Sequence, residues 1–199
     1  MKPWDWKAGW YPSVRRLPLI GAILNSEIRS LKTLLAESGV QANRILDVGA
    51  GAGDSWAFFS GSASGVGVDL SFGMLKRARS RFPKLDLVSA RGDALPFRDG
   101  CFPFLSLVGV AEYVRDKKKL LGECGRVLAP AGHLLVTVPA AGPFTVMRNL
   151  LGSRIHPVEK REWEARLAKD GWHMRGFRET WLQRQYLLRK NNPQESFPP

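Results

Sequence analysis

The segment RILDVGAGAGD, residues 44–54, restricts the possible folds of this chain more than any other stretch. A short apolar run contains Asp47 near its end and is followed by Gly49, Gly51 and Gly53, which alternate with alanines. Glycine allows tight backbone turns and leaves no Cβ between the chain and a ligand. Because ligands of open α/β sheets bind at the carboxyl ends of strands, the segment predicts a strand that runs into a binding loop. The glycine pattern alone fits dinucleotides as well as other adenosine ligands.

Apolar strand patterns alternate with helical patterns over most of the remaining chain. Strand patterns occupy residues 44–48, 65–69, 85–90, 104–109 and 133–139, and helical patterns lie near residues 54–60, 71–81 and 116–128. A helix at 158–169 and two strands, at 172–181 and 184–190, follow. Short, continuously apolar strands are typical of strands buried on both faces. We therefore predict an α/β fold with a doubly wound, Rossmann-like, mostly parallel seven-stranded sheet and helices on both faces.

The N-terminal region is predicted to hold one helix outside this alternation. Its apolar positions indicate a helix over residues 25–38, with Asn25 or Ser26 as the N-cap and Gly39 ending it. The predicted organisation is an N-terminal arm and cap helix at 1–40, a ligand-binding domain at 41–190 and a disordered tail at 191–199.

Length and composition limit the cellular setting. The chain has 199 residues, which suits one domain with a full core. Its longest apolar candidate, LPLIGAIL at 17–24, is much shorter than the roughly 18 residues that a membrane span needs. Cys101 and Cys124 have neither metal-ligand nor redox spacing. With no signal-peptide pattern at the start, we expect a cytoplasmic protein and no metal site.

The formal net charge of +12 predicts attraction to an anionic partner. The basic residues concentrate in the first 16 residues and in a series over 148–190. Trp4, Trp6, Trp10 and Tyr11 accompany the first group, and aromatic rings with basic residues suit a lipid headgroup boundary. Residues 1–24 are therefore candidates for peripheral contact with an anionic membrane. A packing arm and a nucleic-acid partner remain alternatives.

Three acidic residues narrow the choice of ligand. Asp47, just before the glycines, would repel a pyrophosphate but suits a ligand with positive charge. Asp69 ends the second predicted strand, where a carboxylate can accept hydrogen bonds from ribose hydroxyls. Asp93, after the third strand, can accept from an exocyclic adenine amine.

The ordered series ILDVGAGAG, GVGVDLS, GDALPFRDGCF and GECGRVLAPAGHLLVTVP resembles the class I S-adenosylmethionine-dependent methyltransferases. It is most similar to their small-molecule branch, which includes quinone and lipid methylases. The resemblance implies S-adenosylmethionine as the cofactor and in-line methyl transfer to a small, hydrophobic or membrane-associated acceptor. One departure is Phe102-Pro103, where the family usually has Phe-Asp, and we interpret the missing acid as structural.

The resemblance also implies a set of cofactor-binding residues. From the methionine end to the adenine they are Asp47, Gly49, Ala50, Gly51, Gly53, Val110, Asp69, Leu70, Met74, Gly92, Asp93 and Ala94. In this arrangement Asp47 acts near the cofactor's ammonium group and Val110 lies beside its sulfonium.

No catalytic base is assigned from the sequence. Glu112 and Tyr113 follow the fourth strand, where a helix-start role is the favoured interpretation. His133 and His173 are interpreted as surface and strand residues. His156 follows the fifth strand, in the loop that usually helps to form the acceptor pocket of this fold, so it is the histidine best placed to touch a substrate.

Three other functions are weighed against methyl transfer. Tyr113 and Lys117 have the Tyr-x-x-x-Lys spacing of NAD(P)-dependent short-chain oxidoreductases, but that family has its glycine loop near the N-terminus. The basic charge leaves RNA methylation open, although VGVAEY after the fourth strand lacks a base-methylase motif and no separate RNA-binding module is present. A catalytically inactive cofactor-binding protein is the third alternative.

Overall fold

Strands and helices alternate along the chain in the computed structural model. The structure describes residues 18–41, 43–59, 64–140 and 155–190, with Gly142, Thr145, Val146 and Asn149. The strands are β1 (Arg44–Val48), β2 (Ser64–Asp69), β3 (Asp86–Ser89), β4 (Phe102–Leu107), β5 (Leu128–Pro139), β6 (Trp172–Glu179) and β7 (Gln183–Lys190). The helices are α1 (Pro18–Ser38), α2 (Phe72–Arg81), α3 (Lys117–Val127) and α4 (Lys160–Lys169), with short 3₁₀ helices at Trp56–Phe58 and Ala111–Tyr113. Of the predicted arm and cap helix at 1–40, residues 1–17 lie outside the described residues, as does the predicted tail at 191–199.

All seven strands belong to one sheet, in the order β3-β2-β1-β4-β5-β7-β6. Neighbouring strands are parallel except at β7, which is antiparallel to both β5 and β6. The predicted mostly parallel, seven-stranded sheet is thus confirmed. Because the strand order reverses between β1 and β4, the crevice for a ligand lies beyond the carboxyl ends of these two strands. We call this side of the sheet the carboxyl edge.

Successive side chains of the central strands enter two separate cores. Ile45 and Phe104 pack on one face with Leu31 of α1. Leu46 and Leu105 point to the other face, where α3 and α4 supply the opposing apolar side chains. The strict alternation follows from the twofold period of a strand, and it confirms helices on both faces.

Helix α1 begins seven residues before the predicted start. The structure places Asn25 and Ser26 inside the helix rather than at its cap, so the predicted N-cap is wrong. Pro18 occupies the first helical position, where its missing N–H costs nothing and its fixed φ favours the helix. The C-terminal prediction is confirmed, since Gly39 follows the helix with a φ of +66°.

The helix predicted near 54–60 is reduced to the 3₁₀ helix Trp56–Phe58. Aromatic packing explains the difference. A Cβ on Gly65 would lie 2.4 Å from the ring of Trp56, so this ring packs on the backbone of β2. Phe59 packs edge-on against Phe104, with the ring centroids 5.7 Å apart. These contacts hold the segment close against the sheet, where a longer regular helix is not formed.

Strand β4 begins and ends two residues before the predicted span of 104–109. Pro103 is its exposed second residue and coincides with a register irregularity between β4 and β5, a position where proline is tolerated in a sheet. Gly109 follows the strand with a φ of +70°. The other element boundaries differ from the predictions by a few residues, apart from β5, which begins at Leu128 directly after α3.

Candidate functional site

The glycine loop lies at the carboxyl edge, between β1 and β2 in the chain. Gly49, Gly51 and Gly53 all have positive φ angles, of 76°, 53° and 82°. The backbone N–H groups of Gly49 and Ala50 both donate to the carbonyl oxygen of Val68, at 2.7 and 2.9 Å. The loop is therefore fastened to the end of β2 and needs residues that accept left-handed backbone angles.

The three glycines have different surroundings. A Cβ on Gly49 would lie 2.1 Å from Cγ2 of Val110, and one on Gly53 would lie 2.8 Å from the ring of Phe82. On Gly51 the nearest atom would be 3.9 Å away. Gly49 and Gly53 are therefore needed because a Cβ at either position would collide with a neighbouring side chain, whereas the space beside Gly51 is open to a ligand. The structure also brings Val110 directly against the loop, so these predicted cofactor-binding positions are neighbours.

Asp47 is fully buried beneath the loop. The hydroxyl of Ser55 donates to its Oδ2 at 2.6 Å, whereas Oδ1 has no hydrogen-bond partner among the described residues. Burial raises the pKa of Asp47 to about 6, although the hydroxyls of Ser55 and Ser106 favour the charged form. Ser106 faces Asp47 across the β1–β4 ladder without a well-formed hydrogen bond. Buried polar atoms are usually hydrogen-bonded, so Oδ1 of Asp47 is a buried acceptor that still lacks a donor among the described residues.

Asp69 organises the loop from the end of β2. Its Oδ2 accepts from the N–H of Gly51 at 2.9 Å, and its Oδ1 accepts from the N–H of Ser71 at 2.8 Å. Both oxygens of this carboxylate therefore fix the backbone of the glycine loop and of the segment that follows β2. Nearby, Leu70 is exposed, whereas Met74 is buried at the start of α2.

Asp93 forms an ion pair that was not expected from the sequence. Nε and Nη2 of Arg91 donate to its two oxygens, each at 2.7 Å, and this pairing lowers the pKa of Asp93. Ala94 is exposed next to it and its N–H donates to the carbonyl of Arg91 at 3.2 Å. Gly92 is a packing position, since its Cβ would lie 3.0 Å from both Leu120 and Val48.

Two residues of α3, Glu123 and Arg126, hold the segment that follows Asp93. Oε2 of Glu123 accepts from the N–H of Leu95 at 2.8 Å, and Arg126 donates to the carbonyls of Leu95 and Phe97 at 2.9 and 2.8 Å. The Arg126 guanidinium holds the pKa of Glu123 at about 2. These two positioning residues were not predicted from the sequence, although their i, i+3 spacing is a signal for an ion pair.

The segments after β4 and β5 meet beside Val110. Glu112 and Tyr113 lie in the 3₁₀ helix Ala111–Tyr113, which agrees with the predicted helix-start role, and Glu112 is buried. The N–H of His156 donates to the carbonyl of Glu112 at 2.8 Å, and His156 itself is exposed. Of His133, His156 and His173, it is His156 that lies at the carboxyl edge.

His133 and His173 lie in the amino-terminal halves of β5 and β6, away from the carboxyl edge. Both pair with Arg189 of β7, one from β5 and the other from β6. His133 is six residues before the end of β5, which is about 20 Å of strand. Burial, together with Arg189 and Arg175, lowers the pKa of His133. The two histidines are therefore outside the candidate site.

Comparisons with known proteins identify the family of this chain. A family model described as a methyltransferase domain matches residues 46–136. A demethylmenaquinone methyltransferase of Thermus thermophilus is 32% identical over 157 residues, covering 74% of this chain and 70% of the relative. The chain belongs to the class I S-adenosylmethionine-dependent methyltransferases.

Other relatives of this methyltransferase chain differ in extent. A demethylmenaquinone methyltransferase of Renibacterium salmoninarum is 36% identical over 113 residues, or 55% of this chain and 48% of that protein. The chain spans about half the length of most of the curated relatives that it matches. A solved methyltransferase of Thermotoga maritima, described as a possible histamine N-methyltransferase, shares the fold with a TM-score of 0.73 at 18% identity, over 94% of this chain and all of that one.

The features that suggested an oxidoreductase have structural roles in this methyltransferase. Lys117 begins α3, and its Nζ donates to the carbonyl of Val114 at 3.2 Å. Tyr113 closes the preceding 3₁₀ helix. The relatives above support neither the oxidoreductase nor the RNA-methylating alternative. Both cysteines of the methyltransferase are free thiols.

The methyltransferase also contains a buried polar group that sequence reasoning did not find. Glu27 of α1 accepts from the hydroxyl of Thr180 at 2.6 Å and from Nε2 of Gln185 at 3.2 Å. This group attaches α1 to the β6–β7 hairpin. Within the described parts of the chain, no helix has the length and apolar character of a membrane span, and no cluster of side chains could hold a metal ion.

Proposed function

We propose that this chain transfers a methyl group from S-adenosylmethionine to a small, hydrophobic acceptor of the quinone type. The acceptor class rests on the relatives that are named demethylmenaquinone methyltransferases. We place the reaction in the cytoplasm, with residues 1–24 in peripheral contact with an anionic membrane that holds the acceptor.

One observation carries the proposal, namely the buried Asp47 with its unpartnered Oδ1 under an open glycine loop. An acceptor oxygen in this position suits an ammonium group, directly or through water. Asp69, at the end of β2 beside the glycine loop, is our candidate to accept hydrogen bonds from ribose hydroxyls, and Asp93 remains ionised for an adenine amine. Together these residues fit the three polar parts of S-adenosylmethionine, and Gly51 lets the ligand lie on the backbone.

The bound cofactor supplies an electrophilic methyl group on a positively charged sulfur. The chain contributes alignment, since Val110 and the glycine loop hold one side of the reacting centre in a fixed position. When the acceptor loses a proton, a base beside Val110 is needed. His156 is our candidate, because its backbone bond to Glu112 keeps it at this edge.

The first experiment is thermal unfolding of the full chain with S-adenosylhomocysteine or with NADH. A ligand at 100 times its Kd adds about 2.7 kcal/mol to the free energy of unfolding, which raises Tm by about 5–11 °C. We expect this shift with S-adenosylhomocysteine alone. A shift with NADH alone would overturn the proposal. Transfer of labelled methyl to a demethylated naphthoquinone, rather than to RNA, then tests the acceptor class.

A further inference from the structure

Large apolar side chains that stay exposed are concentrated at the carboxyl edge. Of the five in the described residues, Trp181 is 94% exposed, Phe72 74%, Val146 59% and Leu70 40%. The fifth, Met174 with 47%, lies in the amino-terminal half of β6, near the opposite edge. Single exposed apolar residues are ordinary, but their grouping on one side of a protein indicates an interaction surface.

Trp181 and Val146 lie on one side of the cofactor crevice. Trp181 is in the turn between β6 and β7. The carbonyl of the next residue, Leu182, accepts from the N–H of Ala140 at 3.1 Å, and the hydroxyl of Thr145 donates to the carbonyl of Ala140 at 2.8 Å. These two bonds hold both exposed side chains next to the end of β5.

Leu70 and Phe72 lie on the other side. They follow β2, which is four strand spacings, or roughly 19 Å, from β7 in the sheet. The glycine loop and Val110 lie between the two pairs. We call the set Phe72, Val146 and Trp181 the rim, and we leave out Leu70 because it is a predicted cofactor-binding residue. The rim flanks the mouth of the site on both sides.

Basic residues accompany the rim. Arg115, Lys118 and Lys119 are exposed where β4 gives way to α3, at the same edge. The first turn of α3 contains Lys117, Lys118 and Lys119, and the one acid at this helix start is the N-cap Asp116, whose Oδ1 accepts from the N–H of Lys119 at 2.9 Å. Basic side chains therefore outnumber the acid here, and this excess of positive charge complements an anionic surface. The net charge of +12 has the same sign.

The N-terminus of helix α1 lies at this edge. Leu34 packs beside Gly176 in the middle of β6, whereas Glu27 accepts from the hydroxyl of Thr180 in the turn of the β6–β7 hairpin. The helix continues for nine more residues in that direction, about 13 Å, to Pro18. The start of α1 is thus on the same side of the sheet as the rim.

We infer that the rim docks on the surface of an anionic phospholipid bilayer. Trp181 and Phe72 enter the interfacial layer, where aromatic side chains are favoured, while Lys118 and Lys119 face the headgroups. The mouth of the cofactor site then faces the bilayer, so a hydrophobic acceptor reaches it without crossing water. This last step rests on the proposed function, whereas docking itself requires neither cofactor nor acceptor.

Co-sedimentation of the full chain with vesicles of phosphatidylglycerol and phosphatidylcholine at low salt tests whether the apolar side chains of the rim contribute to docking. Removing an interfacial aromatic side chain loses burial worth a tenfold factor or more. We expect Trp181→Ala with Phe72→Ala to weaken partitioning at least about tenfold. Met174→Ala is the matched control, since it removes an exposed apolar side chain at the other edge, and it leaves partitioning unchanged.

Charge reversal at the exposed lysines of α3 tests, in the same assay, whether electrostatic attraction contributes to docking. Lys118→Glu with Lys119→Glu weakens binding and reduces its salt dependence, whereas the control pair Lys84→Glu and Lys169→Glu, near the opposite edge, has a smaller effect. Absence of vesicle binding, or equal losses in rim and control variants, overturns the inference, as does binding to RNA in place of vesicles. Because each variant is also tested for its Tm shift with S-adenosylhomocysteine, a failure of docking is distinguished from a failure of the proposed function.

Discussion

At the residue scale, Asp47 combines full burial with an oxygen, Oδ1, that has no hydrogen-bond partner among the described residues. Its pKa rises from 3.8 in the unfolded chain to about 6 in the fold, so the folded state binds the proton more tightly. The cofactor-free protein therefore loses stability as pH rises from about 4 to above 6. Asp47→Asn removes the cost of burying an ionised carboxylate. We expect the free energy of unfolding at pH 7.5 to increase by about 1–3 kcal/mol, which raises Tm by several degrees.

The same substitution weakens cofactor binding, because the amide lacks the charge that attracts an ammonium group. We expect the Kd for S-adenosylhomocysteine to increase about tenfold or more. In the unsubstituted protein this affinity improves as pH rises through 6, and the improvement is absent in Asp47→Asn. Calorimetric titration between pH 5 and 8 measures both effects. Equal affinity in the two proteins would remove Asp47 from the site.

Gly49 and Gly51 offer a second comparison at the residue scale. Gly49→Ala places a Cβ 2.1 Å from Val110, so it costs several kcal/mol of stability. Gly51→Ala meets no atom closer than 3.9 Å, and its φ of 53° costs an alanine only about 1–2 kcal/mol. We expect Gly51→Ala to stay folded but to bind S-adenosylhomocysteine weakly. Unfolding and titration of both variants check this, and undiminished binding by Gly51→Ala would contradict it.

At the scale of elements, α3 holds the adenine-side loop through Glu123 and Arg126 rather than through apolar packing alone. Glu123→Gln breaks charge-assisted bonds, and we expect a loss of about 1–3 kcal/mol with weaker cofactor binding. The pKa of Glu123 falls from 4.5 to about 2, so its stabilisation is present above about pH 4.5 and is lost as pH falls toward 2. Acid unfolding curves should therefore converge near pH 2. Asp99→Asn, at an exposed partner of Arg126, is the control with a smaller effect.

At the scale of the whole molecule, β7, the last strand of the described residues, lies inside the sheet between β5 and β6. Tyr186, Leu187 and Leu188 are fully buried there. A chain that ends at Leu182 therefore loses one strand of both cores, and we expect no cooperative thermal transition. A chain that ends at Lys190 lacks only the predicted tail and keeps its Tm within about 2 °C. A cooperative transition in the shorter chain would contradict this account.

The α/β class and the carboxyl-edge site were predictable from local patterns. Apolar strands buried on both faces, separated by helices, permit few topologies, and the glycine loop after β1 marks the ligand side. The prediction failed where neighbours in space decide the outcome. Asn25 could have capped a helix, but the apolar residues before it continue the helix from Pro18. The segment at 54–60 has helical spacing, but Trp56 and Phe59 hold it against the sheet.

The amino-acid sequence by itself determined the element order, the mostly parallel sheet and the acids that follow its strands, because these depend on periodicity and on strand ends. Only the tertiary structure decided how those acids are used. Arg91 pairs with Asp93, Asp69 holds Gly51, and the environment of Asp47 raises its pKa, since each effect depends on distance and burial. The rim likewise could not be predicted from the sequence, because its three residues come from three separate segments of the chain that the sheet brings to one edge.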